Sequence, residues 1–287
     1  MSSVPAEIVH ANGVAICVQT FGDPTDPVVF LIMGSSASMD WWEDEFCERL
    51  AAGSRFVIRY DHRDTGQSVT YEPGAPGYDF GDLVDDAVGL LDHFGLAGAH
   101  VVGMSMGGAI AQLMALDHPD RVDSLTLIST GPARPGPEDP DLPAMSEQTG
   151  ARFMVEPPDW SDGEAVIDYL VHLARVSAAH SQPFEEEPFR ALAGRVFDRT
   201  VNMESAMTNH NLLAGDGRWR DRLADLSAPT LVIHGTEDPV VPYGNGEVLA
   251  DEIPNATLLT LEQTGHELPS PTWEAVIPTI LEHTSGR

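Results

Sequence analysis

The chain has 287 residues, 42% of them hydrophobic, enough to bury one large core without division into several domains. Its 45 acidic residues outnumber its 15 Lys and Arg, and the formal charge of −30 argues against a nucleic-acid backbone or an anionic membrane surface as partner, leaving a solvated acidic exterior. Met1 to Glu7 carry no basic, apolar leader, and no later stretch approaches the about 18 consecutive apolar residues of a membrane span, so a soluble, cytoplasmic protein is expected.

Ile8 to Phe21 has the pattern of a hairpin turning at Asn12-Gly13, a type I′ signal. Val28 to Met33 follows as a continuous apolar strand, then a helix around Trp41 to Ala52 and a strand from Arg55 to Tyr60. The run Asp61-His62-Arg63-Asp64-Thr65-Gly66-Gln67-Ser68 reads as a tight loop whose acids pair with Arg59 and Arg63, rather than as a metal site around His62. A helix from about Phe80 to Phe94 sets Asp82, Asp85, Asp86 and Asp92 between Leu83, Val84, Ala87, Val88, Leu90 and Leu91, which suits one buried face. Cys17 and Cys47 lack metal-type spacing and are expected to be free thiols.

Ala99 to Val102 leads into Gly103-Met104-Ser105-Met106-Gly107 and then into the apolar helix that begins at Gly108. A buried strand entering a helix through a tight turn, with serine at the tip and small residues beside it, is the pattern of a nucleophile elbow. Ser124 to Ser129 gives a further strand. After Thr130 the alternation stops: a proline-dense linker opens at Gly131, and helices are expected at about 143–154, 162–178, 186–197 and 201–213 before strands resume. The organisation expected is a core of residues 1–130 and 229–287 with a helical cap of residues 131–228. In that cap Met145, Phe153, Met154, Trp160, Tyr169, Met203 and Met207 are candidates to line a substrate cavity or to fill the cap's own core, with Met145, Met154, Met207 and the core's Gly34 taken as substrate-binding.

The strand from Pro229 ends at Glu237-Asp238-Pro239, and the strand from Ala256 delivers Gly265-His266. A serine hydroxyl needs a base and the base needs an orienting acid, and the order Ser105, Asp238, His266 supplies all three, each just past a strand's carboxyl end. Glu237 is the alternative acid; the Asp-Pro step favours Asp238. His118 precedes Pro119 at a helix end and His234 lies inside a strand, so His266 is the base expected. An oxyanion would be received by the N–H of Met106 and, from the Met33-Gly34-Ser35-Ser36 loop, by the N–H of Ser35. This chemistry requires no metal and no organic cofactor.

These residues resemble the α/β-hydrolase superfamily over nearly the whole chain except the cap. The resemblance implies an α/β fold, a mostly parallel sheet flanked by helices with the cap inserted before the strand that bears the acid. Phe21-Gly-Asp-Pro24, Ile32-Met-Gly34, Arg59 to Gly66 and Ala99-His-Val-Val-Gly103 are more narrowly similar to the aclacinomycin methylesterase group of actinomycete enzymes, which demethylate an anthracycline's methyl ester. Met33 stands where the wider superfamily has His, and Ser35 where the methylesterase group has a second glycine. The expectation is a serine hydrolase of a carboxylic ester or lactone of a bulky apolar natural product, of polyketide or macrolide type, acting as monomer or homodimer. Enol-lactone or carbon–carbon bond hydrolysis, perhydrolysis, and a non-catalytic small-molecule binder are the alternatives. A serine at the elbow sets aside epoxide hydrolases and haloalkane dehalogenases, which use aspartate there.

Overall fold

A computed structural model describes residues 4–132, 139–214 and 219–286. The β-rich runs form β1 (Glu7–Ala11), β2 (Val14–Phe21), β3 (Val28–Ile32), β4 (Phe56–Tyr60), β5 (Ala99–Met104), β6 (Val122–Ile128), β7 (Thr230–Gly235) and β8 (Thr257–Leu261). They join in one sheet of order β1-β2-β4-β3-β5-β6-β7-β8. The pairs of β2 with β1 and β4 are antiparallel and all others are parallel. At the β1–β2 hairpin, Asn12 and Gly13 take the positive φ values, 46° and 76°, that a type I′ turn requires.

The helices are α1 (Asp44–Ala52), α2 (Phe80–His93), α3 (Met106–Asp117), α4 (Glu147–Phe153), α5 (Gly163–Ser177), α6 (Glu186–Arg199), α7 (Met203–Thr208), α8 (Gly244–Glu252) and α9 (Trp273–His283). Every residue of β3, β4, β5 and β7 is buried, as parallel strands covered on both faces must be. One face packs against Phe46 and Leu50 of α1 and Trp273, Val276 and Ile280 of α9. The other packs against Leu83 and Leu90 of α2, Ile110 and Met114 of α3 and Leu249 of α8. A capping box between Asp79 and Asp82 starts α2 by satisfying N–H groups at its first turn. Cys17 and Cys47 are free and buried, and burial pushes both thiols up to about 12.

Between β6 and β7 lie α4 to α7 and a 3-10 turn at Asn209–Leu212. Ser146, Asp162 and Asn202 cap α4, α5 and α7 by accepting from N–H groups of the first turn. This insertion has its own small core of Val166, Leu170, Leu192, Ala193, Val196 and Met203, with Trp160, Tyr169 and Met207 packed against it. The proline-dense linker falls largely on residues 133–138, outside the described residues. Among the described residues no helix is long and apolar enough to cross a membrane.

Two expectations are corrected. The helix expected from Trp41 starts instead at Asp44, because Met39 donates its N–H to Asp61 and holds a 3-10 turn, Met39–Trp41, ahead of it, while Trp42 stacks on Phe46. The acids of the loop after β4 do not pair with Arg59 and Arg63. Arg59 turns towards α1 and meets Asp44, and Arg63 turns towards α2 and meets both oxygens of Asp86 at 2.7 Å. Asp61 instead receives Arg199 from the end of α6 at 2.6 and 2.7 Å, and Asp64 accepts from the Tyr78 hydroxyl and from Asn209. The run lies beyond the end of β4 and turns sharply, with φ 68° at Asp64 and 50° at Gly66, so its side chains leave it in different directions and meet partners on different elements.

Asp61 is fully buried and also accepts from the N–H groups of Met39 (2.8 Å) and Gln67 (2.9 Å). Asp61→Ala strands these donors and leaves Arg199 with Asp40 alone, and it is expected to cost about 3–5 kcal/mol in urea denaturation. A cost below about 1 kcal/mol would show that the ion pair does not anchor the insertion.

Candidate active site

Ser105 joins β5 to α3 with φ 53° and ψ −119°, a conformation that a non-glycine residue holds only under constraint. The constraints are visible. Its N–H donates to Ile128, and its carbonyl accepts from the N–H groups of Gly108 and Ala109 and from the Thr130 hydroxyl. A Cβ at Gly103 would lie 2.2 Å from the Gly107 carbonyl oxygen, and one at Gly107 would lie 2.2 Å from the Ile32 carbonyl oxygen. Those two glycines are therefore what allows strand, turn and helix to close on one another. At Gly34 an added Cβ would lie 3.3 Å from Ser105 Cβ and 3.8 Å from its Oγ, so the turn after β3 rests directly against the serine.

Asp238 and His266 are delivered beyond β7 and β8, at the same sheet edge. Asp238 Oδ1 accepts from the N–H groups of Val240 (2.9 Å) and Val241 (2.8 Å), while Oδ2 receives His266 Nδ1 at 2.8 Å. Burial by itself would raise this carboxyl. The His266 charge and the hydrogen bonds from His234 and His266 outweigh it and hold Asp238 at about 2. A carboxylate only accepts, so His266 donates to it from Nδ1, and Nε2 is the ring nitrogen this bond leaves free for proton transfer. Glu237 points elsewhere: its Oε2 accepts from the Ser181 N–H at 2.9 Å and meets His180 at 2.8 Å. His234 is buried in β7 and bonded to the Val241 carbonyl at 2.8 Å.

Met106 opens α3, where first-turn N–H groups lack intrahelical partners and the helix dipole favours negative charge. Ser35 is exposed in the turn after β3, and its neighbour Ser36 has φ 61°. Of the residues taken as substrate-binding, Gly34 is buried beside Ser105 and Met207 packs on the insertion's own core. Met145 and Met154, which flank α4, are 41% and 85% exposed.

Sequence reasoning missed two histidines. His62 donates Nε2–H to the Met33 carbonyl at 2.9 Å, and burial, helped by nearby His210, brings it down to about 3, so its ring is neutral. His210 Nδ1 accepts from the Ser36 N–H at 2.9 Å. His62 stood in the loop motif but read only as part of a tight loop, and His210, flanked by Asn209 and Asn211, offered no apolar pattern to mark it as buried.

The alpha/beta hydrolase fold family pattern matches residues 27–269. The chain is similar to rhodomycin D methylesterase DauP of Streptomyces sp. strain C5, at 32% identity over 98% of both chains. A putative carbamate hydrolase, RutD of Variovorax paradoxus, is 31% identical over 86% of this chain and 88% of its own. Among solved structures, a hydrolase from Pseudomonas aeruginosa PA01 superposes with TM-score 0.73 at 25% identity, covering 98% of each chain.

His62 gives a pH prediction. Its folded pKa lies below the ordinary value of 6.5, so the unfolded chain binds the extra proton between pH 6.5 and about 3. The stability this neutral ring supports is complete above pH 6.5 and is lost as pH falls through that window. His62→Gln keeps a donor for Met33 and removes the titration, so between pH 7 and pH 4.5 it should lose less stability than wild type by on the order of 2 kcal/mol in urea denaturation. Equal losses in the two proteins would contradict the assignment.

Proposed function

The chain belongs to the α/β-hydrolase family and is a hydrolase, and from that premise we propose that it cleaves a carboxylic ester by way of a serine nucleophile. The observation that carries the proposal is the constrained Ser105 turn at the sheet edge where Asp238 fixes His266. Ser105 Oγ attacks the ester carbonyl carbon while His266 Nε2 takes its proton. Asp238 stabilises the resulting imidazolium, and because two backbone N–H groups hold its Oδ1, its Oδ2 stays aimed at the ring. The N–H groups of Met106 and Ser35 receive the oxyanion.

The tetrahedral species collapses, the alcohol leaves with the proton from His266, and the acyl group remains on Ser105. Water then gives its proton to His266 and attacks the acyl carbon, and the return of that proton to Ser105 releases the carboxylic acid. Residues 1–130 and 229–287 carry these groups and residues 131–228 cover them as a cap. The substrate proposed is a methyl ester of a bulky, apolar natural product of polyketide type. Its support is the similarity to a rhodomycin D methylesterase along 98% of both chains, insertion included.

Wild type should release methanol and the free acid from a polycyclic aromatic methyl ester, and Ser105→Ala should lower kcat/KM by about 10⁴-fold or more. Folded wild type that hydrolyses neither methyl nor aryl esters, or Ser105→Ala that retains turnover, would overturn the reading.

A further inference from the structure

The Met33–Ser36 turn does not hold its shape alone. Ser36 sits at φ 61°, which costs a residue with a Cβ about 1–2 kcal/mol. Its N–H donates to Nδ1 of His210, from the 3-10 turn Asn209–Leu212 at the far end of the helical insertion. His210 Nε2 lies 2.9 Å from the Arg63 carbonyl. A carbonyl only accepts, so Nε2 carries the proton and the Nδ1 lone pair is left for Ser36. The ring is 6% exposed, and its two partners admit one neutral tautomer.

At the other end of the turn His62 donates to the Met33 carbonyl, and the two imidazoles meet edge to face with centroids 5.8 Å apart. The segment between these clamps is Gly34-Ser35, and Gly34 lies against Ser105. The Ser35 N–H is one peptide away from the N–H that His210 holds. Rotation of the Ser36 peptide therefore passes into Ser35 through their shared backbone dihedrals.

We propose that His210 is a positioning residue for ester cleavage: by holding the Ser36 N–H it aims the Ser35 N–H at the developing oxyanion, which makes the insertion part of the catalytic machinery. The role rests on the esterase reading above. It accounts for a buried histidine whose two hydrogen bonds both leave the insertion for core loops.

The test compares His210→Leu, which removes the acceptor, with His210→Asn, whose Oδ1 falls close to the position of Nδ1. Active sites are counted by labelling with a fluorophosphonate, and kcat on an aryl ester is expressed per labelled site, so that loss of folded protein does not register. His210→Leu should lower kcat about 10- to 100-fold with KM within about threefold of wild type, and His210→Asn should recover most of the loss. Wild-type kcat per site in His210→Leu, or a His210→Asn no better than His210→Leu, would overturn the role while leaving the esterase reading intact. Wild type that neither labels nor turns over would overturn both. Amide exchange supplies a readout that needs no variant to fold: in wild type the Ser36 N–H should exchange about 100-fold or more slowly than in a free peptide, and unprotected exchange overturns the proposal.

Discussion

The close approach of the β5–α3 turn to the end of β3 is the constraint on which the rest of the site depends. Gly107 passes so near the Ile32 carbonyl, and Gly103 so near Gly107, that any side chain at either position would force the backbone apart. The approach holds Ser105 in a conformation that costs on the order of 1–3 kcal/mol, and the ladders of β5 with β3 and β6 absorb that cost. It also brings Gly34 against the serine, so the proposed nucleophile and the turn proposed to receive the oxyanion come from segments that are packed on one another. Parallel pairing from β5 to β8 then opens the loops bearing Asp238 and His266 on the same edge.

Among the described residues, the insertion is bonded to that edge through the ends of α5 and α6 and the turn after α7. The end of α5 meets the base and acid loops: Ser177 accepts from the His266 N–H at 2.8 Å, the Ala179 N–H donates to Glu267, and the Ser181 N–H donates to Glu237. The end of α6 brings Arg199 to Asp61 and Asp40, and the turn after α7 brings His210 to Ser36. These bonds link the loops bearing Asp238, His266 and Ser35 to a unit that has a hydrophobic core of its own. A displacement of the insertion would therefore disturb the oxyanion turn and the base together.

What the sequence disclosed and what it hid divide along the range of the interactions. Local signals were readable: Asn12-Gly13 for the hairpin, the apolar stripe from Leu83 to Leu91 for α2, continuous apolar runs for β3, β5 and β7, and small residues around Ser105. The Asp-Pro step distinguished two adjacent carboxylates, and Asp238 is the one that meets His266. Partners brought together only by folding were not readable. Arg199 and Asp61 are 138 residues apart and His210 and Ser36 are 174 apart, and no periodicity connects them. Arg59 and Arg63 were assigned the wrong acids for the same reason. Met145 and Met154 are exposed beside α4, a placement that hydrophobicity alone does not disclose.

The central claim is that Ser105 is the reacting atom, and intact mass spectrometry of the protein after a fluorophosphonate reaction tests it most directly. The account predicts one phosphonyl adduct per chain, mapped by peptide analysis to Ser105 and absent from the Ser105→Ala protein. An adduct on another residue, or none on well-folded wild type, would contradict it.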